Sequence, residues 1–429
     1  MFVRPAMIAL AISITSIPAG AQDAEAPAVE QLAVEYYVDK YRVGIDEAQR
    51  RLQLQDTASG IDDRIAELLG PQFAGMWYDH EDGGRLKIGM TRAAGRLAKD
   101  VLAIVNEYRL GSDVQLVDVN YTLAELELRR DALRETLADM QRAGHARTGV
   151  NPRLNSIVIT ALAKLSADEE ARIREIASME GVVVRRWDVP SLLLKPLTCS
   201  TTSCDRPLRG GRQVYAQWQN FYAFTRCTGG FIARHRVNTG DLLMLTAGHC
   251  ITDANSHGAT SWSARDESFA SLWLGPYYGW VLGGGPGIDA GAIYLNPGSW
   301  FWSIPPVPEV VIMGTSQTTY DPHYKIKADS TSTLGQVLCF TGAATGTHCA
   351  QVSDLGDDLT STAGWTLKNA GELDFCATLE GDSGGPVIKK NKAFGMISLV
   401  NDSIGHCYTG YQGIRAAENI LNVNVQFSP

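Results

Sequence analysis

The sequence predicts an α+β first half followed by an all-β second half. Three observations carry this. From Glu30 to about Met179, apolar residues recur at helical spacing between short strand-like runs. After about Asp188 the helical pattern fades, and short apolar runs alternate with turns rich in Gly, Ser and Thr. All eight cysteines lie between Cys199 and Cys407, so the two halves also differ in chemistry. The boundary is expected near Pro190 to Pro196.

At the N-terminus, Arg4 precedes an apolar run over residues 6–17, then Pro18 and Ala19-Gly20-Ala21. That order predicts a signal peptide over residues 1–21, cleaved after Ala21. The run is too short to favour an uncleaved anchor, and no cysteine follows it to take a lipid. Residues 31–38 and 124–140 then read as helices, and residues 85–91, 114–119 and 156–160 as strands. There is a faint echo: strand 86–91 follows the turn Gly83-Gly84, and strand 157–160 follows Asn151-Pro152. Two related α+β lobes would give such a pattern.

In the second half, strand-like runs fall at residues 231–234, 242–246, 292–295, 310–313, 335–339 and 393–398. Such spacing predicts an antiparallel barrel or sandwich. A short helix is expected at residues 416–421. None of the cysteine pairs Cys199/Cys204, Cys227/Cys250, Cys339/Cys349 and Cys376/Cys407 has the close C-x2-C spacing of a structural zinc site. Disulfides and an oxidising destination are expected, with no metal and no organic cofactor.

The 429 residues suffice for two or three domains. Their net charge of −9, with no run of Lys and Arg, argues against nucleic acid or an anionic membrane as partner.

Three short segments carry the chemistry. Leu245-Thr-Ala-Gly-His249-Cys250 supplies a histidine, Gly287-Ile-Asp289 an aspartate, and Gly381-Asp-Ser383-Gly-Gly-Pro386 a serine. Nucleophilic acyl transfer needs a hydroxyl, a base to take its proton, and a buried carboxylate to fix the tautomer of the base. Asp253 and Asp266 compete for the third role. Asp253 is too near His249 in sequence and Asp266 sits in a polar stretch, whereas Asp289 directly precedes an apolar strand. The glycines around Ser383 allow a tight turn, with the N–H groups of Gly381 and Ser383 as the oxyanion hole.

With these motifs the chain resembles the chymotrypsin-like serine peptidases, and more narrowly the secreted bacterial streptogrisins and α-lytic protease. Arg226-Cys-Thr-Gly-Gly-Phe231 and the GAATGTHC segment of residues 342–349 are similar to further segments of that family. The resemblance covers roughly residue 208 to the C-terminus. It implies two six-stranded antiparallel β-barrels with the active site between them, His249 as base, Asp289 orienting it and Ser383 as nucleophile. It further implies that Ser398 supports the aspartate and begins the strand that pairs with substrate, continuing through Leu399 and Val400. The implied cystines are Cys227–Cys250, Cys339–Cys349 and Cys376–Cys407, which leaves Cys199 to pair with Cys204 across a short hop. Gly75-Met-Trp-Tyr-Asp79 followed by Gly83-Gly-Arg-Leu-Lys-Ile88 resembles the same family's pro-regions. Residues 22–198 would then fold the peptidase domain, residues 199–429, and inhibit it. A separate adaptor or binding domain is the other reading of that half. A β-barrel pair of high contact order folds slowly, and a high barrier also protects the mature enzyme kinetically.

The chain departs from the family in four places. Residues 377–380 are one residue longer than in relatives. Leu399-Val400 stands where relatives carry glycines, and should narrow the groove. Phe340 stands where relatives carry an arginine that pairs with the acid beside the nucleophile. Asp382 is therefore expected to need another cation, or an amine freed by processing near Leu208-Arg-Gly-Gly211. Residues 256–287, with Trp262, Trp273, Trp280 and the run Gly283-Gly-Gly-Pro-Gly287, are expected to be a long surface excursion, or a lip over the groove.

The combined expectation is a secreted, monomeric serine endopeptidase made as a self-processing precursor. Its partners would be protein or peptide substrates, with its own pro-region as intramolecular inhibitor. No acid stands at Ala377 or Thr378, the expected pocket base, so an apolar or small side chain is expected before the cleaved bond. A catalytically silent peptide binder and an esterase on the same scaffold are the alternatives.

Overall fold

The computed structural model describes residues 29–189, 191–192, 195–196, 208–217, 224–265, 271–296, 306–313, 319–401 and 407–429. The signal segment, Cys199, Cys204 and Asp266 lie outside these residues.

The first half begins with helices α1 (Val29–Tyr41), α2 (Ile45–Thr57) and α3 (Ile61–Leu69). Strands β1 (Phe73–Asp79) and β2 (Arg85–Thr91), helix α4 (Ala98–Glu107) and strand β3 (Val114–Val119) follow. Next come α5 (Leu123–Thr136), α6 (Ala138–Arg142), β4 (Ala146–Asn151), β5 (Ser156–Leu162), α7 (Ala167–Ala177) and β6 (Val182–Trp187). The faint sequence echo is a repeated topology. β1 pairs antiparallel with β2 and β2 parallel with β3, and β4 pairs antiparallel with β5 and β5 parallel with β6. Each parallel step needs a helical crossover, which α4 and α7 provide. Helix starts are set locally: Thr122 with Glu125, and Ser166 with Glu169, form reciprocal capping boxes on α5 and α7. Each lobe has its own core, around Ile65, Leu86 and Ile88 in one and Leu126, Ile157 and Ile159 in the other.

The second half is β-rich, as expected. After β7 (Lys195–Pro196) come β8 (Gln213–Gln217), β9 (Phe224–Thr228), β10 (Ile232–His235), β11 (Leu242–Thr246), helix α8 (Gly248–Ser256), β12 (Ser261–Arg265), β13 (Ser271–Gly283) and β14 (Ile288–Tyr294). Then follow β15 (Glu309–Met313), β16 (Thr319–Lys325), β17 (Ala328–Asp329), β18 (Val337–Gly342), β19 (Gly346–Thr360) and β20 (Thr366–Leu373). The chain ends with β21 (Pro386–Lys389), β22 (Lys392–Asn401), β23 (Tyr408–Gly413), α9 (Ile414–Leu421) and β24 (Val423–Val425). One antiparallel sheet runs in the order β24-β10-β11-β14-β13-β12-β8-β9. In the other, the pairs β22-β21-β18-β19-β20-β23 return from β23 to β22, which closes a ring of six antiparallel strands. Closure removes open edges, which long apolar strands require.

The expected excursion of residues 256–287 is a correction. Among the described residues most of it is strand, with Trp262 fully buried and β13 pairing with both β12 and β14. Trp262, with Tyr277 and Trp280 packed against its cluster, belongs to a core layer that sequence spacing alone does not distinguish from a polar loop, while Trp273 and Tyr278 remain exposed. No helix among the described residues is long and apolar enough to cross a membrane.

The two halves share buried contacts. Tyr37 of α1 is fully buried, and the Tyr36 hydroxyl accepts from the Gln351 N–H at 2.9 Å. Gln55 Oε1 accepts from both the Val337 N–H and Lys389 Nζ. Further along, arginines of the second lobe meet a buried carboxylate group on the β19–β20 hairpin. Arg134 pairs with Asp358, Arg147 with Glu372, and Arg185 with Asp354 at 3.2 Å. Burial, helped by neighbouring Asp357, pushes the Asp354 carboxyl up to about 7 against the pull of Arg147 and Arg185. A raised carboxyl in the folded state stabilises below its unfolded value and loses that contribution as pH rises through about 7. Asp354→Asn removes this group from the balance. The expected outcome is that the melting temperature of the parent chain falls, relative to that of the variant, as pH rises from about 4 to 7. Melts of both chains across that range check it, and a difference independent of pH would refute it.

Candidate active site

Each candidate residue is placed by a local device. His249 is the second residue of α8, directly after β11, and its neighbour Cys250 is tied to Cys227 by a disulfide. Asp289 is the second residue of β14. Ser383 lies in the turn before β21, where Gly381 at φ +109 and Gly384 at φ +84 adopt backbone that L side chains avoid. A Cβ on Gly384 would lie 2.3 Å from Thr246 Oγ1 and 2.4 Å from the Thr228 carbonyl. The turn is also held from β9. The Thr228 N–H donates to the Ser383 carbonyl at 2.7 Å, and its hydroxyl donates to the Gly381 carbonyl at 2.6 Å.

The three side chains predicted from sequence come together. Asp289 Oδ2 lies 2.8 Å from His249 Nδ1, and His249 Nε2 lies 2.9 Å from Ser383 Oγ. The His249 main-chain N–H donates to Asp289 Oδ1 at 2.8 Å, and the Ser398 hydroxyl donates to Oδ2. Asp289 is about 1 % exposed and Ser383 wholly buried. An ionised carboxylate accepts only, so Nδ1 carries the proton and the Nε2 lone pair faces the Ser383 hydroxyl. That arrangement can withdraw a proton from Oγ as it attacks a carbonyl carbon. Cys227, Cys250 and His249 also cluster closely enough to hold a metal ion. The two sulfurs are joined in the disulfide and both imidazole nitrogens face triad partners, so the group has no ligand atoms to give.

The remaining candidates divide. Leu399 and Val400 follow Ser398 in β22 and pair antiparallel with Pro196 and Lys195. Thr378 is buried, with its hydroxyl 2.8 Å from that of Thr409, whereas Ala377 is exposed. Cystines form at Cys227–Cys250, Cys339–Cys349 and Cys376–Cys407, the pairs that the resemblance implies.

Asp382 is the second correction. It is fully buried, which raises its carboxyl, yet the groups bonded to it are neutral donors rather than a cation or an amine. Oδ1 accepts from the N–H groups of Ala344 and Thr345, and Oδ2 from the Leu379 N–H and the Thr345 hydroxyl. Several directed donors stabilise a buried carboxylate much as a counter-charge does. Phe340, at the position that relatives give to arginine, packs edge-on to Phe375 at 5.1 Å between centroids. Gly342 is obligatory beside it, because a Cβ there would come within 2.0 Å of Asp382 Oδ1. Sequence reasoning missed Thr345 and Thr228. Their one signal was that both lie in segments already matched to the family.

Thr345→Val deletes one hydroxyl donor without changing shape. The expected cost is about 1–3 kcal/mol, because a buried carboxylate oxygen loses a partner. Thermal and denaturant melts of the two chains check it, and equal stability would show that the backbone donors suffice.

No family model matches the chain. Among curated proteins, it is 23% identical over 385 residues to serine protease 1 of Rarobacter faecitabidus, covering 87% of this chain and 59% of that one. It is 26% identical over 203 residues to streptogrisin-C of Streptomyces griseus, covering 47% of this chain and 36% of that one. The chain thus spans little more than half the length of the first of these relatives and about a third of the second. A solved glutamic acid-specific serine protease aligns with 51% of this chain and 100% of its own, at 21% identity and a TM-score of 0.40, too low to add weight. On the named relatives and the motifs around His249 and Ser383, the chain is similar to the bacterial chymotrypsin-like serine peptidases of the streptogrisin and α-lytic protease type.

Proposed function

We propose that the chain is a secreted serine endopeptidase made as a precursor, with residues 1–21 as signal, 22–198 as pro-region and 199–429 as a peptidase domain of two six-stranded barrels. The observation that carries this reading is the unbroken hydrogen-bond chain from Asp289 through His249 to Ser383. Ser383 Oγ attacks the scissile carbonyl carbon while its proton passes to His249 Nε2. The oxyanion forms against the N–H groups of Gly381 and Ser383. His249 then returns the proton to the departing amine, and water, activated by the same nitrogen, releases the acyl group from Ser383. Asp289 keeps Nδ1 protonated and steadies the imidazolium.

Two further observations support the precursor and its specificity. The Ser398 carbonyl lies 3.5 Å from Ser383 Oγ, so the strand running on through Leu399 and Val400 lies where an extended substrate would pair. Lys195 and Pro196 already pair there, as an inhibitory pro-region would. The Thr378 hydroxyl donates to that of Thr409, which donates in turn to the Phe375 carbonyl, so this wall offers no charge to recognise a charged side chain. An apolar or small residue before the cleaved bond is the specificity this favours.

Intact mass and N-terminal sequencing of secreted wild type and Ser383→Ala test the reading. Wild type is expected as a fragment beginning between residues 189 and 214, and the alanine variant as the longer precursor. A small fluorophosphonate should label wild type at Ser383 and leave the variant unlabelled. Absence of labelling in wild type would favour the silent binder, and ester turnover without peptide turnover the esterase. Asp289→Asn is expected to lower kcat about 10^4-fold through the wrong tautomer.

A further inference from the structure

Trp365 stands at the tip of the β19–β20 hairpin, and its indole is stacked on the imidazole of His249. The ring centroids are 5.7 Å apart and the planes differ by 19°. The contact crosses between sheets. The hairpin belongs to the six-strand ring of β18–β23, whereas His249 and Asp289 are attached to the other sheet.

The tip is held firmly. The Ser361 N–H donates to the Trp365 carbonyl at 2.8 Å, the Gly364 N–H to the Ser361 carbonyl at 3.0 Å, and the Thr360 and Thr366 hydroxyls meet at 3.1 Å. It also grips the turn that leads into Asp289. The Lys368 N–H donates to the Gly287 carbonyl at 2.6 Å, and Lys368 Nζ to the Gly285 carbonyl at 3.2 Å. A Cβ on Gly287, at φ +62, would lie 2.3 Å from Lys368 Cγ, and one on Gly283 would lie 3.0 Å from Trp365 Cβ. The glycine run between β13 and β14 is thus the seat of the hairpin tip rather than a free lip.

The triad hydrogen bonds fix both ring nitrogens of His249, but the χ2 torsion of histidine is broad and its plane must be fixed by something lying on its face. We propose that Trp365 is a positioning residue for His249. It holds the imidazole in the plane that serves Asp289 and Ser383 together, and so acts on the chemical step rather than on substrate affinity. The inference rests on the serine-peptidase reading above.

The test uses wild type, Trp365→Phe and Trp365→Leu, each produced from the full-length chain. Three rates are measured: p-nitrophenyl acetate hydrolysis, whose acyl group is too short to pair with Leu399 and Val400, cleavage of an apolar peptide, and labelling by a small fluorophosphonate. Trp365→Leu is expected to lower kcat on both substrates, and the labelling rate, by about fivefold or more, with KM within about twofold, as the worth of an aromatic stack implies. Trp365→Phe keeps a ring on the imidazole and is expected to restore most of the loss. If Trp365→Leu leaves acetate hydrolysis and labelling intact and only raises KM for the peptide, Trp365 is a substrate wall and the proposal is overturned. Should the leucine variant fail to fold, Trp365→Met keeps bulk without a ring and is judged by the same criteria. Failure of the peptidase reading looks different, because wild type itself would then not be labelled.

Discussion

Burial of one carboxylate organises the candidate site. Asp289 is about 1 % exposed, and a charge so far from water is tolerable only if its oxygens are fully engaged. The donors come from two directions. His249 offers its main-chain N–H and Nδ1 from the start of α8, and Ser398 offers its hydroxyl from β22, across the divide between the sheets. The Asp289 N–H is taken by Gln412 of β23, also from the far sheet. Neither sheet alone could satisfy this residue. Bringing the sheets together is therefore the step that makes Asp289 affordable and, by the same bonds, the step that orients His249.

Asp382 solves the same problem by another route. Its donors are mostly main-chain N–H groups of two turns, residues 344–345 and 379, supplemented by one hydroxyl. A turn can present several N–H groups to one anion without any charged side chain. The arginine that relatives use is then dispensable, and its place is filled by aromatic packing of Phe340, Phe375 and His348. The turn around Ser383 is consequently braced on both flanks, by Asp382 on one side and by Thr228 on the other.

What could be read from the sequence follows from these two cases. His249, Asp289 and Ser383 were legible because their chemistry forces an unusual backbone, and glycines around a serine leave a mark in the sequence. The repeated α+β lobe was faintly legible through turns placed before β2 and β5. The partners of Asp382 were not legible, because main-chain donors carry no residue signature. The fate of residues 256–287 was misread for a related reason. β13 is long and bulged at its pairings with β12 and β14, so its side chains do not keep strict alternation. The tie between Trp365 and His249 has a sequence separation of 116 residues and depends on hairpin length, which no local pattern encodes.

The β19–β20 hairpin joins these strands of argument. Its tip leans on His249 and on the turn before Asp289, while its flanks carry Asp354, Asp357, Asp358 and Glu372 against Arg134, Arg147 and Arg185 of the first half. Burial raises all four of these carboxyls, so the assembled chain holds them at a cost that the arginines only partly offset. Exposed to water, the same carboxylates would ionise without that cost. This part of the contact between the halves is thus specific in charge, whereas α1 and α2 meet the second half through a hydrophobic core that joins Val29, Ala33, Tyr37 and Leu52 to Cys339, Cys349 and Ile388. The hairpin is therefore fixed from two sides, by charge along its flanks and by the stack of Trp365 on His249 at its tip.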